Sequence, residues 1–351
     1  MGASLSMDLA VEQRRALKQF RSLLADSGMD KLLAAPDCEQ GRPEPLQTVA
    51  RLFGGGQAAD TAQVERCVPP AVISALQALG LLNRAGDTVT AGEYRLVHHL
   101  GLFLFCHTLT ASAKLYYGND SLALSRLLLP VEGRALDLCT GVGTQALVCA
   151  QTAASVTAVD VEPLAERVFW INAELNGLSE KVEFLVGDLL EPVAGRQFDR
   201  ICCNPPFMPV PPCVRYPRFA DGGPDGLAIV RRLLAGLPEA LAPDGLCQVV
   251  GAVLGNSDGP DLSALESMAA GARLKLELSS PTCEELDDAM LASCAATALA
   301  CEGGGDVKQA FRDHWSSLGA TRIYYYLLSA THASQPTLYF SHDDVHRAMI
   351  G

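Results

Sequence analysis

The sequence predicts an α/β architecture over residues 128–351, a parallel sheet covered by helices on both faces, preceded over residues 1–127 by a mainly helical, winged-helix-like domain. Three observations carry this reading. From residue 134 onward, short apolar runs alternate with amphipathic helical stretches, the pattern of strands joined by crossover helices. Before residue 128 the apolar residues recur mainly at helical spacing. The charge divides at the same place: residues 1–127 carry 12 basic and 12 acidic side chains and residues 128–351 carry 15 and 28, so the second part supplies the whole net charge of −13.

The first helix is read over residues 8–34, where Leu9, Leu17, Phe20, Leu23 and Leu24 recur among charges. A Pro/Gly-rich stretch, 36–45, breaks it. Residues 49–53 and 71–81 read as further helices, the second opened by Pro69-Pro70, since proline is tolerated in a first turn. Gly80 ends that helix, and a Gly-Asp turn then separates two short strand-like runs, the outline of a helix followed by a wing. Residues 101–117 form an apolar run, 118–121 a turn and 121–130 a helix, and the domain boundary falls here. Then come strand 134–139, helix 144–153, strand 155–161, helix 164–177, strands 181–187 and 198–204, helix 229–241 and strand 245–254. Helices over 284–300 and 307–315 lead to a last strand at 322–330.

Composition narrows the function. Apolar residues make up 49% and charged ones 19%, as in a packed enzyme and unlike a disordered chain. No apolar run approaches the ~20 residues that cross a bilayer, and the N-terminus lacks the apolar core of a secretion signal. Gly2 and Ser6 match the loose myristoylation pattern, read here as an accident of the start site. The 12 cysteines include no CxxC pair, and Cys139, Cys149, Cys202 and Cys247 sit in apolar runs, as buried thiols of a cytoplasmic protein would. The seven histidines lack metal-ligand spacing, so no metal is expected. The acidic second part disfavours a nucleic-acid partner, whose backbone is gripped by Lys and Arg.

The residues that carry chemistry stand at strand ends, where parallel sheets bind ligands. In LDLCTGVGTQAL (136–147), Gly141 and Gly143 clear side chains from a turn that opens onto a helix N-terminus. Such a loop also suits a dinucleotide pyrophosphate. Asp137 tilts the choice, because an acid there suits an ammonium group and would repel a pyrophosphate. Asp160 ends the second strand, where an acid accepts from ribose hydroxyls, and Asp188 follows the third, within reach of an adenine amino group. The fourth strand stops at Asn204-Pro205-Pro206-Phe207. A nitrogen about to be methylated needs its N–H groups held from the side. The Asn204 side-chain carbonyl and the Pro205 backbone carbonyl are two fixed acceptors, the prolines stiffen the turn, and Phe207 offers a face for a planar group.

On these residues the second part resembles the class I S-adenosylmethionine-dependent methyltransferases of the "methyltransferase small domain" group. NPPF is the form its [NDS]-P-P-[YFW] motif takes here. The run 171–178 resembles the group's helix after the second strand, and FADGGPDGLAIVRRLL (219–234) resembles the GGxDGL segment of the HemK/PrmC-like glutamine N5-methyltransferases. The resemblance implies a Rossmann-like domain of seven strands and S-adenosyl-L-methionine as cofactor. It implies that Asp137, Gly141, Gly143, Asp160 and Asp188 bind the cofactor, with Cys139, Thr140, Val161, Leu189 and Asn204 beside them. Asp120 and Ser121 resemble the acid and small residue at its methionine end. Asn204, Pro205 and Phe207 would carry catalysis and Pro206 would adjoin the substrate, with Arg215, Tyr216 and Arg218 as candidate substrate contacts in the loop beyond. Departures lie in the longer, winged N-terminal part, in the proline-rich MPVPPCVRYPRF (208–219), and in Met208, where the ribosomal guanine enzymes often carry histidine.

The acceptor stays open. A protein side-chain amide accords with GGPDGL, and a small metabolite with the acidic domain. A base of RNA or DNA accords with the motif and disagrees with the charge. A winged-helix regulator with an S-adenosylmethionine-sensing domain is the non-enzymatic alternative, against which the intact NPPF stands. The N-terminal domain is expected to serve as a substrate lid or to form a homodimer.

Overall fold

The computed structural model describes residues 9–34, 44–108 and 114–341. The myristoylation pattern and nearly all of the Pro/Gly stretch lie outside them. The first amphipathic stretch is two helices rather than one, α1 (Val11–Ser27) and α2 (Met29–Ala34), because Gly28 closes α1 with its N–H on Ala25 O. Next come α3 (Glu44–Val49), continued by a π turn to Gly54, then β1 (Ala59–Asp60), α4 (Thr61–Cys67) and α5 (Pro70–Ala78). Sequence reading passed over α4, although Asp60 caps it by accepting from Gln63 N at 3.1 Å. The hairpin β2 (Asn83–Ala85) and β3 (Thr88–Thr90) follows, with β1 on its outer side.

A second hairpin, β4 (Tyr94–His99) and β5 (Leu102–His107), joins this region to the rest. Every residue of β5 is buried. Phe103 and Phe105 pack among the N-terminal helices, whereas Leu102, Leu104 and Cys106 face the core beneath the large sheet. Strand alternation thus lets one strand serve two cores.

The remaining chain runs α6 (Asn119–Leu127), β6 (Arg134–Leu138), α7 (Thr144–Ala150), β7 (Ser155–Asp160), α8 (Pro163–Leu175), β8 (Val182–Val186) and β9 (Phe198–Cys203). Then follow β10 (Val214–Arg215), α9 (Ala228–Ala240), β11 (Leu241–Asn256), β12 (Gly259–Pro260), α10 (Ser263–Ala272) and β13 (Leu274–Glu285). Last are α11 (Asp288–Thr297), β14 (Ala300–Cys301), α12 (Val307–Ser317), β15 (Arg322–His332) and β16 (Thr337–Ser341). The sheet order is β8-β7-β6-β9-β11-β15-β13-β16, with β15 antiparallel to both neighbours and the flanking strands parallel. This is a Rossmann-like α/β sheet. The expected seven strands become nine: β12 folds back on β11, and β16 pairs with the outer edge of β13, whose backbone groups would otherwise lack partners. Among the described residues no helix is long and apolar enough to cross a membrane.

Helix α8 fastens the two cores together. Asn172, fully buried, accepts from Phe105 N (2.8 Å) and donates to Phe105 O and Val142 O (both 2.9 Å). Asn176 repeats the pattern on Phe103, and Glu174 pairs with Arg14 at 3.3 Å. Replacing Asn172 by Ala leaves three buried backbone groups without a partner. Urea denaturation should show a loss of about 3 kcal/mol or more. A loss under about 1 kcal/mol would mean that packing alone holds the hairpin on α8.

Candidate active site

The glycine-rich turn between β6 and α7 takes its shape from two carboxylates. Asp137 lies 1% exposed below it. Its carboxylate accepts from Thr140 Oγ1 (2.5 Å), from Ala146 N in the first turn of α7 (3.0 Å) and from the Cys202 thiol (3.4 Å). Burial pushes the Asp137 carboxyl up to about 7 despite these donors. Asp160, at the end of β7, accepts from Gly141 N (2.8 Å) and Glu162 N (2.9 Å), and burial raises its carboxyl too. Gly143 caps α7 at φ 90°, and a Cβ there would lie 2.7 Å from the Phe169 ring.

The register of β6 and β9 pairs Asp137 with Cys202 and Leu138 with Cys203, so Cys139 and Asn204 leave the sheet side by side. Asn204 Nδ2 donates to Ser121 Oγ at 3.0 Å, and Asn204 Oδ1 is buried with no hydrogen-bond partner. The segment resembling GGxDGL is a clamp on Phe207. A Cβ at Gly222 would lie 2.6 Å from Phe207 Cα, and one at Gly226, φ 77°, would lie 2.6 Å from Phe207 O. Gly222 N donates to Met208 O and Met208 N to Ala220 O, which lays the segment along the motif.

One cavity of about 1360 Å³ opens between these parts. It is lined by Asp120, Ser121, Cys139, Thr140, Gly141, Asp160 and Val161, and by Asn204 to Phe207. Tyr216 and Arg218 also line it.

A family model of the methyltransferase small domain matches residues 111–257, and one of a domain of unknown function (DUF7059) matches residues 18–92. A ribosomal protein uL3 glutamine methyltransferase of Bradyrhizobium diazoefficiens is 39% identical over 147 residues, covering 38% of this chain and 46% of that protein. A release factor glutamine methyltransferase of Rhodospirillum rubrum is 32% identical over 240 residues, covering 64% of this chain and 72% of that protein. The chain belongs to the class I, S-adenosylmethionine-dependent methyltransferases of the small-domain family. It spans about half the length of the Bradyrhizobium relative and of a release factor glutamine methyltransferase of Moorella thermoacetica. Among solved structures, Trm5b from Pyrococcus abyssi aligns with a TM-score of 0.41 at 15% identity, covering 72% of this chain and 62% of that one.

The residues present fit the methyltransferase cofactor. The loop backbone is bare at Gly141, where a Cβ would meet only Tyr116 O at 3.6 Å. Val161 offers the cavity an apolar surface, 39% exposed, beside the Asp160 carboxylate.

Five expected site residues do not line the cavity. Asp137 lies beneath the loop, where Thr140, the Cys202 thiol and the first turn of α7 take up its carboxylate. Gly143 acts through the turn it permits. Asp188 pairs with Arg232 at 2.8 Å, and Leu189 is buried in the core on the far side of β8. Arg215 is exposed, and its backbone is engaged by β14 and by Leu299 N.

The helix read over 284–300 forms part of the cavity wall, a placement its pattern did not show. The helices α11 and α12 are inserted between β13 and β15, and Ser293, Ala296, Thr297 and Leu299 line the wall. The Tyr216 hydroxyl bonds Thr297 and Cys294 of α11, its ring meets Phe311 of α12 edge-on, and Trp315 Nε1 donates to Pro209 O. The helical pattern of 284–300 was readable, but not its place against a loop some eighty residues earlier. Among the described residues, nothing before Lys114 lines the cavity.

A carboxyl held at about 7 favours its protonated form in the fold. Its contribution to stability is fully present below about 3.8 and is lost as pH rises through about 7. Asp137→Asn is neutral at every pH. The melting temperature of the native chain relative to this variant should therefore fall progressively between those limits. Parallel curves would show that Asp137 stays ionised in the fold.

Proposed function

We propose that this chain transfers the methyl group of S-adenosylmethionine to the side-chain amide nitrogen of a glutamine in a protein. The observation that carries the reading is the buried, unpartnered Asn204 Oδ1 in the cavity wall beside Pro205. An acceptor without a donor inside a protein costs free energy unless a ligand supplies the N–H. A primary amide has two N–H groups, and the Asn204 and Pro205 carbonyls can take one each. The clamp of Gly222 and Gly226 on Phe207, and the similarity to the uL3 and release factor glutamine methyltransferases, support glutamine over a metabolite or a base. The net charge of −13 also supports a protein acceptor over nucleic acid.

Bound at Gly141, Asp160 and Val161, the cofactor supplies an already activated methyl on a sulfonium. The residues of this chain therefore need only align and desolvate the acceptor nitrogen. Asn204 and Pro205 hold it from the side, and Phe207 packs against its planar amide. We place the reaction in the cytoplasm, in keeping with free thiols at the eleven described cysteines. Any self-association would use the N-terminal helices, which lie away from the cavity.

The direct test offers the chain purified release factor and ribosomal protein uL3 with methyl-labelled S-adenosylmethionine and maps the label by mass spectrometry. Label on a glutamine side chain is expected. Label only on nucleic acid, or on no protein, would overturn the reading. Asn204→Ala should lower kcat by about 10²–10³-fold and change the cofactor Kd by less than about threefold. Asp160→Ala should instead raise that Kd by about 10–100-fold. Equal losses of both quantities in both variants would remove the division of roles.

A further inference from the structure

Asn204 could present either end of its side chain to the acceptor, because amide oxygen and nitrogen occupy nearly the same space. Only one orientation suits an incoming N–H. Three contacts bear on the choice. Nδ2 donates to Ser121 Oγ at 3.0 Å. Asn204 also hydrogen-bonds the Asp120 carboxylate. Asp120 Oδ1 accepts in turn from the Tyr116 hydroxyl at 2.5 Å. A serine hydroxyl both donates and accepts, so Ser121 is satisfied by either end of the amide. An ionised carboxylate only accepts.

We propose that Asp120, itself fixed by Tyr116, is a positioning residue that locks Asn204 with Oδ1 toward the acceptor, and so makes the site select a primary amide over a carboxylate. With both Nδ2 hydrogens engaged by Ser121 and Asp120, Oδ1 is left as the buried acceptor without a partner. A flipped Asn204 would instead offer an NH₂ group, which welcomes a glutamate side chain of the same shape. Tyr116 is held for this purpose. Its ring stacks on Phe219 at 5.6 Å and 19°. A Cβ at Gly118 would lie 2.0 Å from its hydroxyl, so Gly118 leaves room for that hydroxyl to reach Asp120. Asp120 and Ser121 thereby serve the acceptor motif, whereas sequence resemblance gave them to the methionine end of the cofactor.

This inference rests on the glutamine reading. Its test uses the full chain, the acceptor protein found by label mapping, and that protein with glutamate at the acceptor position as a competitive inhibitor. The wild-type enzyme should bind the glutamate form at least about tenfold more weakly than the glutamine form. In Asp120→Asn the ratio should fall to within about threefold and kcat should drop about 10–100-fold, while the cofactor Kd stays within about threefold. Tyr116→Phe, which keeps the ring and removes only the tether, should move the ratio part of the way. An unchanged ratio in both variants overturns the proposal, as does a raised cofactor Kd with kcat intact, which would make Asp120 a cofactor ligand. If label appears on a nitrogen other than glutamine, the acceptor reading falls. The loss of kcat at constant cofactor Kd on that acceptor then decides the role of Asp120.

Discussion

A turn built on glycines has no shape of its own, and the Asp137 carboxylate gives this one its shape. It reaches the loop through Thr140, the first turn of α7 through Ala146 N, and β9 through Cys202. These are the three elements on which donor and acceptor chemistry depend. Because β6 and β9 are paired in register, the same carboxylate that fixes the cofactor loop also anchors the strand that delivers Asn204 one residue past its end. The site is a local consequence of one buried acid between two parallel strands. A buried carboxyl is tolerable there because three donors surround it and its raised pKa lets it take up a proton.

The same acid shows where sequence reading stops. The alternation of strands and helices from residue 134 to 254 was legible because buried parallel strands are short continuous apolar runs bounded by turn residues. The motifs at the strand ends were legible because chemistry needs particular atoms there. Direction was not legible. Asp137 is inside its strand, and its carboxylate is taken up by Thr140 and the first turn of α7, whereas Asp160 closes its strand and reaches the cavity wall. Asp188 stands past the end of β8, where Arg232 from α9 pairs with it. In each case the deciding partner comes from a distant segment. Strand β13 was missed for another reason. Its alternation, Leu274, Leu276 and Leu278 against Lys275 and Glu277, lies in a stretch before residue 284 that was left unassigned.

The N-terminal region acts at a distance. It offers the cavity no lining residue among those described, yet it shares α8 with the methyltransferase core, where Ile171 and Leu175 face one core while Val168, Phe169 and Ala173 face the other. Asn172 joins the two, with two hydrogen bonds on the hairpin and a third on Val142, the residue between the two loop glycines. Separately, α11 contributes Ser293, Ala296 and Thr297 to the cavity wall.

That separation explains the proline-rich loop. Between Met208 and Phe219 the chain leaves the motif, meets α12 at Pro209 and Tyr216 and returns to line the cavity with Arg218, with only the short β10–β14 pairing to hold it. Four prolines restrict its backbone, so less conformational entropy is lost on ordering. The backbone groups that remain are met from the insertion: Trp315 Nε1 on Pro209 O, Glu302 N on Cys213 O and Leu299 N on Arg215 O. The loop and the insertion are thus one structural unit, and neither would hold its place without the other.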